Sequence, residues 1–144
     1  MPAHLTMFRS LPQSAQEEVR RSLSRAASAA APAAEISAVM DLDGGVALRI
    51  ASPELETIRE QLAAEFRGLL SAQDTGGWTA HVTVQNKVDA CEAGALLRAM
   101  RAGFEPRPVE IMGLELVRYA QGAWEPVARY GFRGPRSSRR RRRS

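Results

Sequence analysis

His4-Leu5-Thr6-Met7 and His81-Val82-Thr83-Val84 repeat one pattern: a histidine and a threonine two positions apart, each followed by an apolar residue. Between them the two stretches use both histidines of the 144-residue chain. On a β-strand, successive side chains alternate between faces. His4 and Thr6 would therefore share one face and Leu5 and Met7 the other, and the second copy repeats the arrangement. Each copy offers one imidazole and one hydroxyl on a single face, which reads as a duplicated chemical device.

The surroundings of the copies also match. Residues 3–8 read as a short strand. A helix follows, with Ser14-Ala15-Gln16-Glu17 as a capping box, a stripe of Val19, Leu23, Ala26 and Ala30, and Pro32 as its stop. Glu35 to Leu42 and Val46 to Ile50 read as strands joined by a tight turn at Asp43-Gly44-Gly45. Ser52 and Pro53 open a second helix with Leu55, Ile58, Leu62, Phe66 and Leu69 on one face. Ser71 to Gly77 reads as a polar loop, and Trp78 to Gln85 as the strand carrying the second histidine. Asp89 to Glu92 is a further capping box, opening a helix that runs to about Ala102 and closes at Gly103. Val109 to Val117 and Trp124 to Phe132 complete the order as an antiparallel pair around Gln121-Gly122.

Each histidine strand is thus followed by a helix and then a strand opening Glu-Ile, at Glu35-Ile36 and at Glu110-Ile111. The second copy is also preceded by a strand and a helix, Val46 to Leu70. The first copy has three residues before it, so by this symmetry the first half lacks an N-terminal strand and helix.

Composition narrows the classes. An apolar share of 44% supports a sizeable core, and no apolar run approaches membrane-spanning length. The N-terminus has no signal-peptide pattern, so a cytoplasmic location is expected. The lone Cys91 cannot form an intramolecular disulfide and reads as a small, half-buried helix residue. The net charge of +4 is unevenly placed. Arg136 and Arg139 to Arg143 supply six of the 20 basic residues, leaving 14 against 16 acidic ones. The body is slightly acidic, and the arginine run reads as a solvated tail. Phe8, Trp78, Tyr119, Trp124 and Tyr130 are read as core aromatics ahead of base-stacking rings, and Lys87 and Arg129 as solvated cations.

The two motifs, with Phe8, Leu11-Pro12, Trp78 and the run to Gln85-Asn86-Lys87, resemble the 2H phosphoesterase superfamily. The branch most similar is the bacterial 2′-5′ RNA ligase family, also described as RNA 2′,3′-cyclic phosphodiesterases. The resemblance spans about residues 2–132. It implies an α+β fold of two pseudo-symmetric lobes, each an antiparallel sheet with outer helices, and an active-site cleft between them. On this reading residues 1–132 form one bilobal domain, with halves of about 1–45 and 46–132, and residues 133–144 a disordered tail. Members have a strand and helix ahead of the first motif, so the family pattern and the internal symmetry agree on what is missing. Met1 is then a misassigned start, or the chain a truncated member with an exposed sheet edge.

The resemblance further implies hydrolysis of 2′,3′-cyclic phosphate ends of RNA, or of small cyclic phosphonucleotides, to 2′-phosphates. Imidazole titrates near neutrality, so one histidine can serve as base and the other as acid. His4 is assigned as the acid on the leaving 3′ oxygen and His81 as the base, with Thr6 and Thr83 binding the non-bridging oxygens. With a ribose hydroxyl in place of water, the reverse reaction would join RNA ends. No cofactor, no metal and no membrane are expected, and the chain is read as a monomer. Many members carry an arginine soon after the second motif, where this chain has Gln85-Asn86-Lys87. The competing readings are a non-catalytic RNA-binding protein and a poorly active fragment.

Overall fold

The computed structural model of the chain describes residues 3–42, 44–85 and 89–133, apart from the side chains of Gln85 and Ala90. The fold is α+β and contains two antiparallel sheets. In chain order the elements are α1 (Gln16–Ala27), β1 (Ala33–Asp41), β2 (Val46–Ala51), α2 (Pro53–Glu65), the single turn α3 (Ala72–Thr75), β3 (His81–Gln85), α4 (Ala90–Arg101), β4 (Arg107–Glu110), β5 (Gly113–Ala120) and β6 (Ala123–Gly131). Four strands form one sheet in the order β3-β2-β1-β4, and β5 and β6 form a separate hairpin.

Local chemistry explains most boundaries. Ser52 caps α2: its Oγ accepts the Leu55 N–H at 3.1 Å and donates to the Ala33 carbonyl at 2.6 Å, with Pro53 in the first turn. The Asp89 carboxylate accepts the Glu92 N–H at 2.9 Å to start α4, and Gly103, at φ +121°, follows its end. The β1–β2 turn closes through Leu42 N–H to the Gly45 carbonyl at 2.9 Å, with Gly44 at φ +105°. Asp43 lies outside the described residues.

β1, which opens at Ala33 ahead of Glu35-Ile36, and β4, which closes at Glu110 where the sequence pattern has a strand opening, become neighbours. In the β1–β4 ladder Ala34 pairs with Val109, which are equivalent positions when the two Glu-Ile pairs are superposed. Helices α2 and α4 pack on the four-stranded sheet, and α1 packs on α2, β5 and β6. Val19, Leu23 and Ala27 of α1, Leu62 of α2, Phe66 at the C-terminal cap of α2, Leu114 and Phe132 make one buried cluster, and Met7, Phe8 and Leu11 lie against it.

Several expectations need correction. Residues 3–8 are not a strand. The Thr6 and Met7 carbonyls, and the Arg9 and Ser10 amides just beyond, are bound by side chains in place of a ladder, as described below. The Ser14 capping box does not form, because a 3₁₀ turn at Gln13–Ala15 leads directly into α1 and Ala15 occupies the cap position with no side-chain bond. Helix α1 ends at Ala27, so Ala30 leaves its stripe and instead bridges to Arg133. Cys91 is exposed on α4. The expected strand from Val109 to Val117 is divided: β4 joins the four-stranded sheet, and after Ile111 and Met112 the chain enters the hairpin as β5. Gly113 permits that crossing, since a Cβ there would lie 2.4 Å from the Tyr130 carbonyl oxygen. Residues 134–144, including the arginine run, lie outside the described residues, as do Asn86 and Lys87.

Candidate active site

The second motif sits on β3, at the edge of the four-stranded sheet. Its register on β2 pairs His81 with Arg49, Val82 with Leu48 and Thr83 with Ala47. Cross-strand partners share a face, so His81, Thr83 and the exposed Arg49 project from the same side of the sheet. His81 is half-buried and Thr83 exposed. The His81 Nδ1 lies 2.8 Å from the Thr79 carbonyl oxygen. A carbonyl only accepts, so Nδ1 carries the proton and donates it there, which leaves the lone pair of the neutral ring on Nε2. Sequence reasoning did not single out Arg49, because cross-strand register cannot be read from a β2 segment alone.

The first motif has a different support. His4 and Thr6 are exposed, on a segment without ladder bonds. The Thr6 carbonyl accepts the Trp78 indole N–H at 2.9 Å, and the Met7 carbonyl accepts Arg59 Nε at 3.0 Å. The Arg9 N–H reaches the two oxygens of the Asp74 carboxylate at 2.8 and 2.9 Å, and the Ser10 N–H reaches one of them at 3.1 Å. Arg59 also donates to the Asp74 carbonyl at 3.0 Å. Its guanidinium lies between two rings, 4.6 Å from the centroid of Phe8 and 5.0 Å from that of Trp78. Phe8 in turn meets Phe66 edge-on at 5.5 Å.

Arg59 is 9% exposed and Asp74 3% exposed. Burial pushes the Arg59 guanidinium below its usual range, and the nearby charge of Asp74 opposes that shift. Neither residue stood out in the sequence. Arg59 interrupts no apolar stripe, and Asp74 lies in a stretch that reads as a polar loop. The one hint was that Trp78 stands three residues before His81.

The first motif is therefore held by the stretch that leads into the second. The Thr6 backbone is tied to Trp78, which precedes β3, and the backbone of residues 9 and 10 is tied to α3. Of the remaining aromatics, Tyr130 is half-buried, whereas Tyr119 and Trp124 are 59% and 55% exposed and form an edge-on pair at 5.0 Å where the β5–β6 hairpin turns. The core reading of those two is corrected: they meet each other across the ladder and are exposed to solvent. Among the described residues no group of three or more His, Cys, Asp or Glu side chains is placed to hold a metal ion, and no helix is long and apolar enough to cross a membrane.

The sequence profile described as the 2′-5′ RNA ligase superfamily matches residues 1–123. No curated protein matches this chain at a significant level.

Proposed function

Because this chain belongs to the 2′-5′ RNA ligase superfamily, we propose that it is a metal-independent phosphoesterase that opens 2′,3′-cyclic phosphate ends of RNA or related cyclic nucleotides. In this mechanism Nε2 of His81 removes a proton from water as the water oxygen bonds to phosphorus. The bond from phosphorus to the 3′ oxygen breaks, and the His4 imidazolium donates a proton to that oxygen, leaving a 2′-phosphate and a 3′-hydroxyl. Thr6 and Thr83 donate hydrogen bonds to the non-bridging oxygens, and Arg49 adds a fixed positive charge beside His81. With the 5′-hydroxyl of a second RNA end as the nucleophile in place of water, the same P–O3′ bond breaks, the 3′ oxygen takes the proton, and the ends are joined through a 2′-5′ bond without a nucleotide cofactor.

The observation that carries the reading is the His81 ring. Its Nδ1–H is spent on the Thr79 carbonyl, so Nε2 is the proton acceptor, on a sheet face shared with a hydroxyl and a guanidinium. An oligoribonucleotide ending in a 2′,3′-cyclic phosphate, incubated with the full chain and followed by ³¹P NMR, should yield a 2′-phosphomonoester at a rate unchanged by EDTA. A 3′-phosphate product would reverse the assignment of the leaving oxygen. Loss of turnover on chelation would refute the metal-free mechanism, and absence of turnover the phosphoesterase reading.

A further inference from the structure

We infer that Arg59, Asp74 and Trp78 are positioning residues that register the first His-x-Thr segment against the second, so that the placement of His4 is set from the far half of the chain. The inference about turnover rests on the phosphoesterase reading, while the inference about placement does not.

Four anchor points within residues 6–10 carry the argument. The carbonyls of Thr6 and Met7 and the amides of Arg9 and Ser10 are each bound by one of these three side chains. His4 stands two residues beyond the last of these anchors. The three residues are also tied together: the Arg59 side chain donates to the Asp74 main-chain carbonyl and lies over the Trp78 ring. An isolated polar contact at a surface would do little, but here a guanidinium and a carboxylate are buried and committed to backbone groups. Buried charges that lose a partner are costly to leave unmatched, so the geometry has few alternatives. The Arg59 fork makes two bonds in different directions, through Nε to Met7 and through Nη2 to Asp74. A lysine's single ammonium cannot reproduce both.

A plain structural role would make substitutions here lower the folded fraction alone. A positioning role also lowers kcat in the folded protein, because a displacement of about 1 Å in a reacting group costs about a hundredfold in rate. Trp78→Phe is the cleanest variant, since it removes the N–H that holds Thr6 while keeping an aromatic ring, though a smaller one, beside Arg59. Asp74→Asn keeps the side chain's shape but cannot accept from both the Arg9 and Ser10 amides with two carboxylate oxygens.

The test uses the two histidines as reporters. In the full-length chain their ring signals are assigned with His4→Ala and His81→Ala and compared in wild type, Trp78→Phe and Asp74→Asn. The expected result is a shifted or broadened His4 signal with an unmoved His81 signal. Turnover of a cyclic-phosphate RNA end should show kcat reduced about tenfold to a hundredfold, with KM changed less than about threefold. A His4 signal unmoved in folded Trp78→Phe overturns the inference, and that variant decides the matter if Asp74→Asn does not fold. A protein with no turnover, but a His4 signal that moves in Trp78→Phe, keeps the clamp and removes only the phosphoesterase reading.

Discussion

In β3 the backbone around His81 and Thr83 is bound to β2 by a ladder, with Ala80 continuing it through a 2.9 Å bond from Ile50 N–H. The backbone between Thr6 and Ser10 is bound instead by an indole, a guanidinium and a carboxylate drawn from residues 59–78. A ladder spreads its hydrogen bonds over main-chain groups that no substitution other than proline removes. A side-chain clamp concentrates the same task in three replaceable residues. The two copies of one motif therefore differ in what can dislodge them: changes in α2, α3 or Trp78 reach the first, whereas changes in β2 reach the second.

The largest stability effect is expected at Phe66, which is fully buried and meets Phe8 edge-on. Phe66→Ala should cost about 3 to 5 kcal/mol in chemical denaturation. In hydrogen exchange it should release the Arg9 and Ser10 amides well before that of Val82, which faces β2; equal release would erase the contrast. Ile50→Ala on β2 should cost about 2 to 5 kcal/mol and invert the order, loosening β3 first. Ser52→Ala strands the Leu55 N–H and the Ala33 carbonyl together and should cost about 1 to 2 kcal/mol, leaving the relative protection of the two segments unchanged.

The smallest effect concerns Asp89. Its hydrogen bonds from Glu92 hold its carboxyl below the usual range. A depressed acid stabilises the fold above its unfolded pKa, and that contribution is lost as the pH falls through the folded value. Acidification should therefore lower the protection of the Glu92 amide at the start of α4, measured as its exchange relative to the intrinsic rate at the same pH. Asp89→Asn should abolish that pH dependence while keeping a cap; persistence of the dependence in this variant would assign it to another group.

The legible parts of the fold were those whose signal is local. The Ser52-Pro53 start, the Asp89 box, the Gly44 turn and the two strands that flank it each need only a few neighbouring residues, and each formed close to where the sequence puts it. The missed features are set by distant groups. His4-Leu5-Thr6-Met7 alternates like a strand, yet alternation supplies no partner, and its carbonyls went to Trp78 and Arg59. The apolar pattern from Val109 to Val117 runs on without a break through the change of sheet, and only Gly113 marks the crossing. Of the candidate site, the four motif residues could be named from spacing alone. Arg49 needed the β2–β3 register, and the burial of Arg59 and Asp74 needed tertiary contacts that charge and polarity argue against.

The central claim is that the two motifs act as one acid–base pair, despite their unlike supports. It is tested most directly by measuring kcat on a 2′,3′-cyclic-phosphate RNA end for His4→Ala and His81→Ala, each confirmed as folded. Both variants should lose about two to four orders of magnitude, and the double variant little more than the worse single one. Near-wild-type turnover in either single variant would contradict the account.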